Sequence, residues 1–423
     1  MNHSNSTNSK REWTYHTLWM MGSHGLKLVL QAVYFIVVAR KLGAAEYGTF
    51  IAASAVAEVV SPFSTLGIGN LMVKNVARDR TLFSLYWGNA LVTNLIAGTG
   101  LILGLMAIAP LFLPSSISPL LLGLAAVNSL IFSRILDLAR MAYQSVSRFD
   151  RTAQMNLLPH MLRAGAALLM VSLFPDPNAL DWMTMGLLCL GSASIASLVV
   201  IHREIGPAKP NLPKLYPELK QGSYFAVGLS AQSIYNDIDK TMLASLASVQ
   251  ATGLYAAAYR LIEVAFVPMR SLLDASYTRF FKAGKTGVQG TWLVARKLLP
   301  MMGGYGLVAA LGLYFCAPVV PWVLGPEYQM AVPALQWLAP IVLLKGLHYI
   351  AADTLTGADL QGYRSLTQIG VALLNIVLNI GLIPRYGWQG AVIASLASDG
   401  LLMVLLWLFV ALHYGRSTVA LES

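Results

Sequence analysis

Charged residues are scarce in this sequence: Asp, Glu, Lys and Arg make up 11% of its 423 residues, less than half of the roughly 25% usual in soluble domains. So small a complement excludes a water-soluble globule. Cysteine is nearly missing as well. The two present, Cys189 and Cys316, stand alone in separate apolar runs with no His or Cys at ligand spacing, which leaves no disulfide framework and no cysteine metal site. There is no Gly-rich loop ending in Lys-Ser or Lys-Thr to cradle a nucleotide phosphate. The sequence therefore points to no ATPase site, no cofactor, no metal and no catalytic residues. The net charge of +10 raises nucleic acid as a partner, but Lys and Arg fall mostly in short segments between apolar runs, as topology signals do. No nucleic-acid partner is expected. The opening MNHSNSTNSKREWT is polar and lacks a small-residue cleavage site behind a short apolar core, so the run that follows is expected to be retained rather than removed as a signal.

What is present is hydrophobic. Apolar residues make up 56% of the chain and mean hydropathy is +0.62, the composition of a polytopic membrane protein. At about 20 apolar residues per crossing, runs fall near 15–39, 47–72, 82–109, 117–143, 152–174 and 180–201, and again near 222–247, 252–280, 292–316, 330–357, 363–383 and 388–413. Between the two sets, HREIGPAKPNLPKLYPELK (202–220) holds four prolines and six charges, which suits a loop joining two halves. The expected architecture is all-α with about twelve transmembrane helices: an N-terminal six-helix lobe at 1–201, a cytoplasmic linker at 202–220 and a C-terminal six-helix lobe at 221–423. Alternate connections carry the basic residues, among them Lys74, Arg78, Arg148, Arg151, Arg203, Arg279 and Lys282, while 110–116, 175–179 and 248–251 have none. By the positive-inside rule both termini are cytoplasmic.

An internal repeat supports the division. GTFIAASAVAEV (48–59) lies 205 positions before GLYAAAYRLIEV (253–264), and the pair shares Gly48 with Gly253, Ala52 with Ala257, Ala53 with Ala258 and Glu58 with Glu263. A second offset of 214 matches Pro119 with Pro333, Gln154 with Gln368 and Arg134 with His348 in position. With six helices per half, both halves enter from the same side. The repeat is then parallel, with its axis along the membrane normal and a cleft between two bundles.

The stretch YRLIEVAFVPMRSLLDASY (259–277) poses the sharpest question, because an apolar helix there carries Arg260, Glu263, Arg270 and Asp274. A central Arg or Asp costs roughly 2.5–3.5 kcal/mol on insertion scales, and each Leu, Ile, Phe or Val returns about 0.3–0.6. That face cannot meet lipid. Two readings stay open: pairing of Arg260 with Glu263 and Arg270 with Asp274 at i,i+3 and i,i+4, or a wet cleft shared with other helices. Similar faces recur at His24, Lys27, Gln31 and Tyr34; at Arg134, Asp137, Met141 and Gln144; at His160 and Arg163; at Gln232, Tyr235 and Asp239; and at Lys345 and His348. Convergence on a hydrated, net cationic cleft is the economical reading. Its cationic surface would be Lys27, Arg134, Arg163, Arg260, Arg270 and Lys345, with His24, Gln31, Gln232 and His348 as polar lining. Glu58, Asp239 and Glu263 are intramembrane carboxylates and hence candidates for ion coupling.

Three segments, RKLGAAEYGTFIAASA (40–55), NDIDKTMLASLASVQATGLYAAAYRL (236–261) and VLGPEYQMAVPALQWLAP (323–340), resemble the corresponding segments of the polysaccharide flippases. This is the bacterial group of O-antigen and exopolysaccharide repeat-unit flippases, within the multidrug/oligosaccharidyl-lipid/polysaccharide exporter superfamily. The resemblance runs through essentially the whole chain, and Asp239, Gly253 and Tyr255 match family positions most clearly. It implies a two-lobed helical bundle in the bacterial inner membrane that moves an undecaprenyl-pyrophosphate-linked oligosaccharide to the periplasmic leaflet by alternating access. It also implies a polysaccharide polymerase and a chain-length regulator as partners, beside membrane lipid. No binding role for Lys27 or Arg134 comes from the family; those rest on the residues themselves.

Such a substrate suits the cationic faces, since pyrophosphate and acidic sugars call for Arg or Lys. A multidrug antiporter of the same superfamily would be expected to carry an acidic, aromatic pocket. A membrane polymerase or ligase would need a long extracytoplasmic loop bearing catalytic side chains, and the sequence offers none.

Overall fold

The computed structural model describes residues 3–211, 213, 226 and 237–422, with side chains for all of these except 3–25, 149, 278 and 416–422. Gln232, Tyr235 and, within the 202–220 linker, residues 212 and 214–220 lie outside the described residues, as does the side chain of His24. Every regular element among the described residues is helical. Hydrocarbon offers no partner for a backbone N–H or C=O, and a helix satisfies these groups within the segment itself. Eight helices among the described residues are long and apolar enough to cross a membrane, or nine if Pro326–Leu338 and Pro340–Gly357, bent by 41°, form one span. The chain is an all-α, multi-pass membrane protein.

The first helix, His3–Val60, has 58 residues and is broken at Gly43, whose φ of 70° and ψ of 174° are not helical. An unbroken helix of that length would measure roughly 87 Å, nearly three times the hydrocarbon core of about 30 Å. Gly43 supplies the break because only glycine adopts that backbone without strain.

Helix Val249–Ala283 does not qualify as a span by composition. Its buried residues explain how it is held nonetheless. Tyr259, Ile262, Phe266, Met269, Leu273, Ser276 and Phe280 are all buried and advance by alternating steps of three and four, the packing seam of a helix enclosed by others. Arg260, Glu263, Arg270 and Asp274 each follow a seam residue by one, about 100° around the helix.

The chain forms two compact units, Met1–Leu42 with Ala52–Ser233 and Gly43–Ile51 with Ile234–Ser423. In the first, Trp87 and Tyr143 anchor a core with Leu71, Met72, Leu138 and Ile201. The connection leaving helix Ala179–Glu204 is tied down within this unit. Lys209 N donates to the Ser84 carbonyl at 2.8 Å and Asn211 N to the Asn89 side chain at 2.7 Å. Gly88 makes this possible, since a Cβ there would lie 2.4 Å from Pro210 N.

In the second unit, Gly43–Ile51 packs by close backbone approach. Gly48 meets Gly253, with no room for a side chain on either. Glu327 accepts from Ala44 N at 3.0 Å, so a carboxylate from a distant turn satisfies an orphan donor at the helix start that follows Gly43. Tyr328, next in sequence, is fully buried, and Tyr47 nearly so.

Candidate functional site

The first unit contains a cavity of about 210 Å³. Helix His3–Val60 contributes Lys27 and Glu58, helix Ser133–Ser145 contributes Arg134, Asp137 and Arg140, and helix Phe149–Leu173 contributes Asn156, Pro159, His160 and Arg163. Two local features aim these side chains. A π turn, Asn128–Phe132, precedes Ser133 and advances the register of the following helix, as π turns at functional sites do. Its carbonyls find partners in Asn94, which donates to Leu130 at 2.8 Å, and Ser194, which donates to Phe132 at 3.0 Å. In the facing helix Pro159 lacks an N–H and leaves the Met155 carbonyl without its usual helical donor.

Electrostatically the cavity has two different walls. Arg134 reaches Asp137 at 3.1 Å and Glu58 at 3.8 Å, and Asp137 also lies 4.0 Å from Arg140. Arg140 donates to Gln144 at 3.4 Å, and Glu58 accepts from Ser61 at 3.2 Å. These groups neutralise one another. On the opposite wall Gln31 and His160 Nδ1 lie 3.4 Å apart, while Arg163 makes no ion pair among the described residues. Four cations and two carboxylates line the space.

Lys27, Glu58, Arg134, Asp137, His160 and Arg163, all singled out from the sequence, thus line one cavity, and Gln31 stands behind it against His160. Met141 does not: it packs on Gly69, whose missing Cβ would lie 2.5 Å from the Met141 sulfur. Arg140 and Asn156 escaped the sequence reading. Asn156, Pro159, His160 and Arg163 recur at i, i+3, i+4 and i+7, and following that period one turn upstream of His160 would have found Asn156.

The second unit treats its polar residues differently. Lys345 and His348, read from sequence as lining a wet cleft, are 7% and 2% exposed. Both have acquired internal partners, which is what permits burial. Lys345 Nζ donates to the Tyr259 hydroxyl at 2.6 Å, and His348 Nε2 lies 3.1 Å from Asp399. Asp239 is also buried, accepting from the Tyr255 hydroxyl, which in turn lies 3.0 Å from Ser395. Because that hydroxyl has one proton and gives it to Asp239, Ser395 is the donor in the second bond. Lys240 pairs with Asp237 at 2.6 Å and lies 5.1 Å from the centre of the Tyr259 ring.

On helix Val249–Ala283, Arg260 pairs with Glu263 at 2.7 Å, both partly exposed. Arg270 and Asp274 are exposed and make no ion pair with each other among the described residues. Pairing at i,i+3 therefore accounts for the first two charges of the stretch and not for the last two. The helix passes Pro268 in the same region, and the Tyr305 hydroxyl donates to the nearby Ala265 carbonyl at 2.9 Å.

With this geometry in hand, comparison with known proteins identifies the chain's class. Residues 14–279 match the family described as Polysaccharide biosynthesis protein, which is more than half of the 423 residues. The chain belongs to that family. A probable low-salt glycan biosynthesis flippase of Haloferax volcanii is 21% identical over 394 residues, covering 91% of this chain and 79% of the relative. Among solved structures, an inward-facing multidrug resistance MATE family transporter of the MOP superfamily superposes with a TM-score of 0.71 at 13% identity, covering 92% of this chain and 95% of that one. A MOP superfamily transporter from Pyrococcus furiosus, described by a reversed polarity of its binding pocket, gives 0.62 at 14% identity over 93% and 94% of the two chains. The fold is that of the MOP superfamily of transporters.

Proposed function

We propose that this chain is a flippase that carries an undecaprenyl-pyrophosphate-linked oligosaccharide across the bacterial inner membrane by alternating access. The observation that carries this reading is the first unit's cavity, in which cations outnumber carboxylates four to two, lined by helices long and apolar enough to cross a membrane. Such charges are expensive in a bilayer and mark substrate pathways. Arg and Lys suit a pyrophosphate or an acidic sugar, and the family, together with the similarity to a probable glycan biosynthesis flippase of Haloferax, favours a lipid-linked glycan. In the full proposal the chain has twelve spans in two parallel six-helix repeats with both termini cytoplasmic, and a polysaccharide polymerase and chain-length regulator act beside it. Lys27, Arg134 and Arg163 serve the substrate, and Arg260 and Arg270 are the second unit's own candidate cations. Glu58, Asp239 and Glu263 are its candidates for ion coupling.

Export of multidrug or organic ions is the second reading. Similarity of fold to MATE family transporters favours it, as does the presence of Glu58 and Asp137 in the cavity. Against it, both carboxylates already pair with Arg134, Asp137 at 3.1 Å and Glu58 at 3.8 Å, which reduces their attraction for a cationic drug. The deciding experiment deletes the protein in a strain without a redundant flippase and locates the lipid-linked glycan. Accumulation on the cytoplasmic leaflet supports the proposal, and normal arrival at the periplasmic leaflet overturns it.

A further inference from the structure

Helix Val288–Cys316 belongs to one of the two least enclosed spans among the described residues, with only 17% of its most apolar stretch buried. Its two sides differ. Thr291, Ala295, Leu298, Met302 and Gly306 are buried, and at 100° per residue they share one side. Leu293, Met301, Leu307, Val308 and Leu311 are exposed and fall on the opposite side, which meets lipid. Two cations interrupt this apolar stripe. Arg296 and Lys297 lie within it, exposed, with no ion pair or side-chain hydrogen bond among the described residues. At the offset of 205 that matches Gly48 with Gly253, Trp292 meets Trp87, whereas Arg296 and Lys297 meet Leu91 and Val92. A span can keep apolar residues there, so the helix itself does not demand the charges.

Their depth says what they can reach. The helix has 29 residues, roughly 43 Å against a hydrocarbon core of about 30 Å. Centred on that core, it would carry Arg296 roughly 5 Å inside the edge, from where a snorkelling side chain arrives at the phosphates. Pro300 lacks an N–H and leaves the Arg296 carbonyl without its usual helical donor, and hydrocarbon supplies none. One turn before Arg296, Trp292 packs on the core that holds Leu402 and Leu406. It stands edge-on to Trp407 and Tyr414, with ring centres 5.9 and 6.3 Å away, aromatic residues of the kind that settle at head-group level.

We propose that Arg296 and Lys297, beside the cluster of Trp292, Trp407 and Tyr414, form a binding site for one anionic phospholipid. The two cations hold its phosphate, and a head-group hydroxyl donates to the Arg296 carbonyl. Phosphatidylglycerol offers both groups. The chain just before the helix carries Arg279, Lys282 and Lys285, which by the positive-inside rule assigns the site to the cytoplasmic leaflet. The site uses no residue of the first unit's cavity and is independent of the cargo.

The test uses the full chain purified in detergent with phosphatidylcholine and titrated with phosphatidylglycerol. Thermal unfolding reads the affinity, and native mass spectrometry reads the lipid retained. Phosphatidylglycerol should raise the wild-type midpoint and stay bound as a single molecule. Arg296→Gln or Lys297→Gln should weaken it about fivefold each, and the two together roughly 30-fold, from the attraction of a basic residue for an anionic lipid surface. Arg296→Lys with Lys297→Arg keeps both charges and should retain the lipid, which separates lost binding from lost folding. Lys282→Gln with Lys285→Gln, removing exposed cations outside the stripe, should respond as the wild type does.

Wild-type affinity for phosphatidylglycerol in the Arg296→Gln, Lys297→Gln double variant overturns the proposal. So does an equal loss in the Lys282, Lys285 control, which would reduce the effect to general surface charge. If glycerol phosphate shifts the midpoint as far at the same concentration, the ligand is a soluble phosphate and the lipid site falls.

Discussion

Gly48 and Gly253 stand back to back, so close that a Cβ on Gly48 would fall 1.7 Å from the Val249 carbonyl oxygen and one on Gly253 1.9 Å from that of Ala44. These are the glycines that the 205-residue repeat pairs in sequence. The two positions matched by that offset touch each other, and they do so through backbone that cannot move aside as a side chain can. Gly48→Ala or Gly253→Ala should therefore destabilise the protein beyond the roughly 1–3 kcal/mol of ordinary overpacking. Gly303→Ala is the control, because nothing lies within 4 Å of its Cβ position and Ala favours a helix by about 1 kcal/mol. Thermal unfolding in detergent reads both. A Gly48→Ala protein as stable as Gly303→Ala would refute the contact.

Glu327 and Gly43 make a second junction. The carboxylate caps Ala44 N at 3.0 Å, and a Cβ on Gly43 would lie 2.5 Å from its Oε2. Glu327→Ala should cost about 0.5–2 kcal/mol, the range for loss of a helix cap, and Glu327→Gln less, since an amide oxygen still accepts. Equal losses in the two variants would mean that the negative charge, rather than the hydrogen bond, is what matters.

Tyr255 and Asp239 are coupled in the core of the second unit. Tyr255→Phe removes the donor and leaves a buried carboxylate short of a partner. Hydrogen bonds to charged groups contribute about 1.5–3 kcal/mol, so the single change should lower stability by that order. In Asp239→Asn the further loss on adding Tyr255→Phe should be smaller. A double-mutant cycle measures the difference, and strict additivity would show that the two side chains act independently.

The charged helix Val249–Ala283 has a directional prediction. Single cysteines at 270 and 274, where the native residues are exposed, should react with a small water-soluble thiol reagent in a background lacking Cys189 and Cys316. Cysteines at 262, 266 and 269, in the buried seam, should be protected. Labelling at 266 comparable to that at 270 would mean that the seam is open to water.

Much of the site could be read before the fold was known. Intramembrane charge is rare enough that Lys27, Arg134 and Arg163 stood out against hydrocarbon, and helical spacing showed which neighbours shared their face. Arg140 was missed because it lies off the i, i+3, i+7 line drawn from Arg134, and a π turn just before that helix resets which residues face the cavity. Lys345 and His348 are buried against partners that the sequence did not reveal, for a different reason. Their partners Tyr259 and Asp399 lie 86 and 51 positions away in sequence, and no local period relates such pairs.

The sequence by itself determined the solvent and the secondary structure, because long runs with few charges can only enter lipid, and lipid admits backbone only as helix or closed barrel. It also matched Gly48 with Gly253 at an offset of 205 residues. Which charges are answered internally and which are not was decided by tertiary structure alone. An Arg costs the same to insert whether its counter-ion is a side chain on another helix or a substrate not yet bound. Only the assembled helices, with Glu58 and Asp137 paired to Arg134 and no ion pair at Arg163 among the described residues, separate the two.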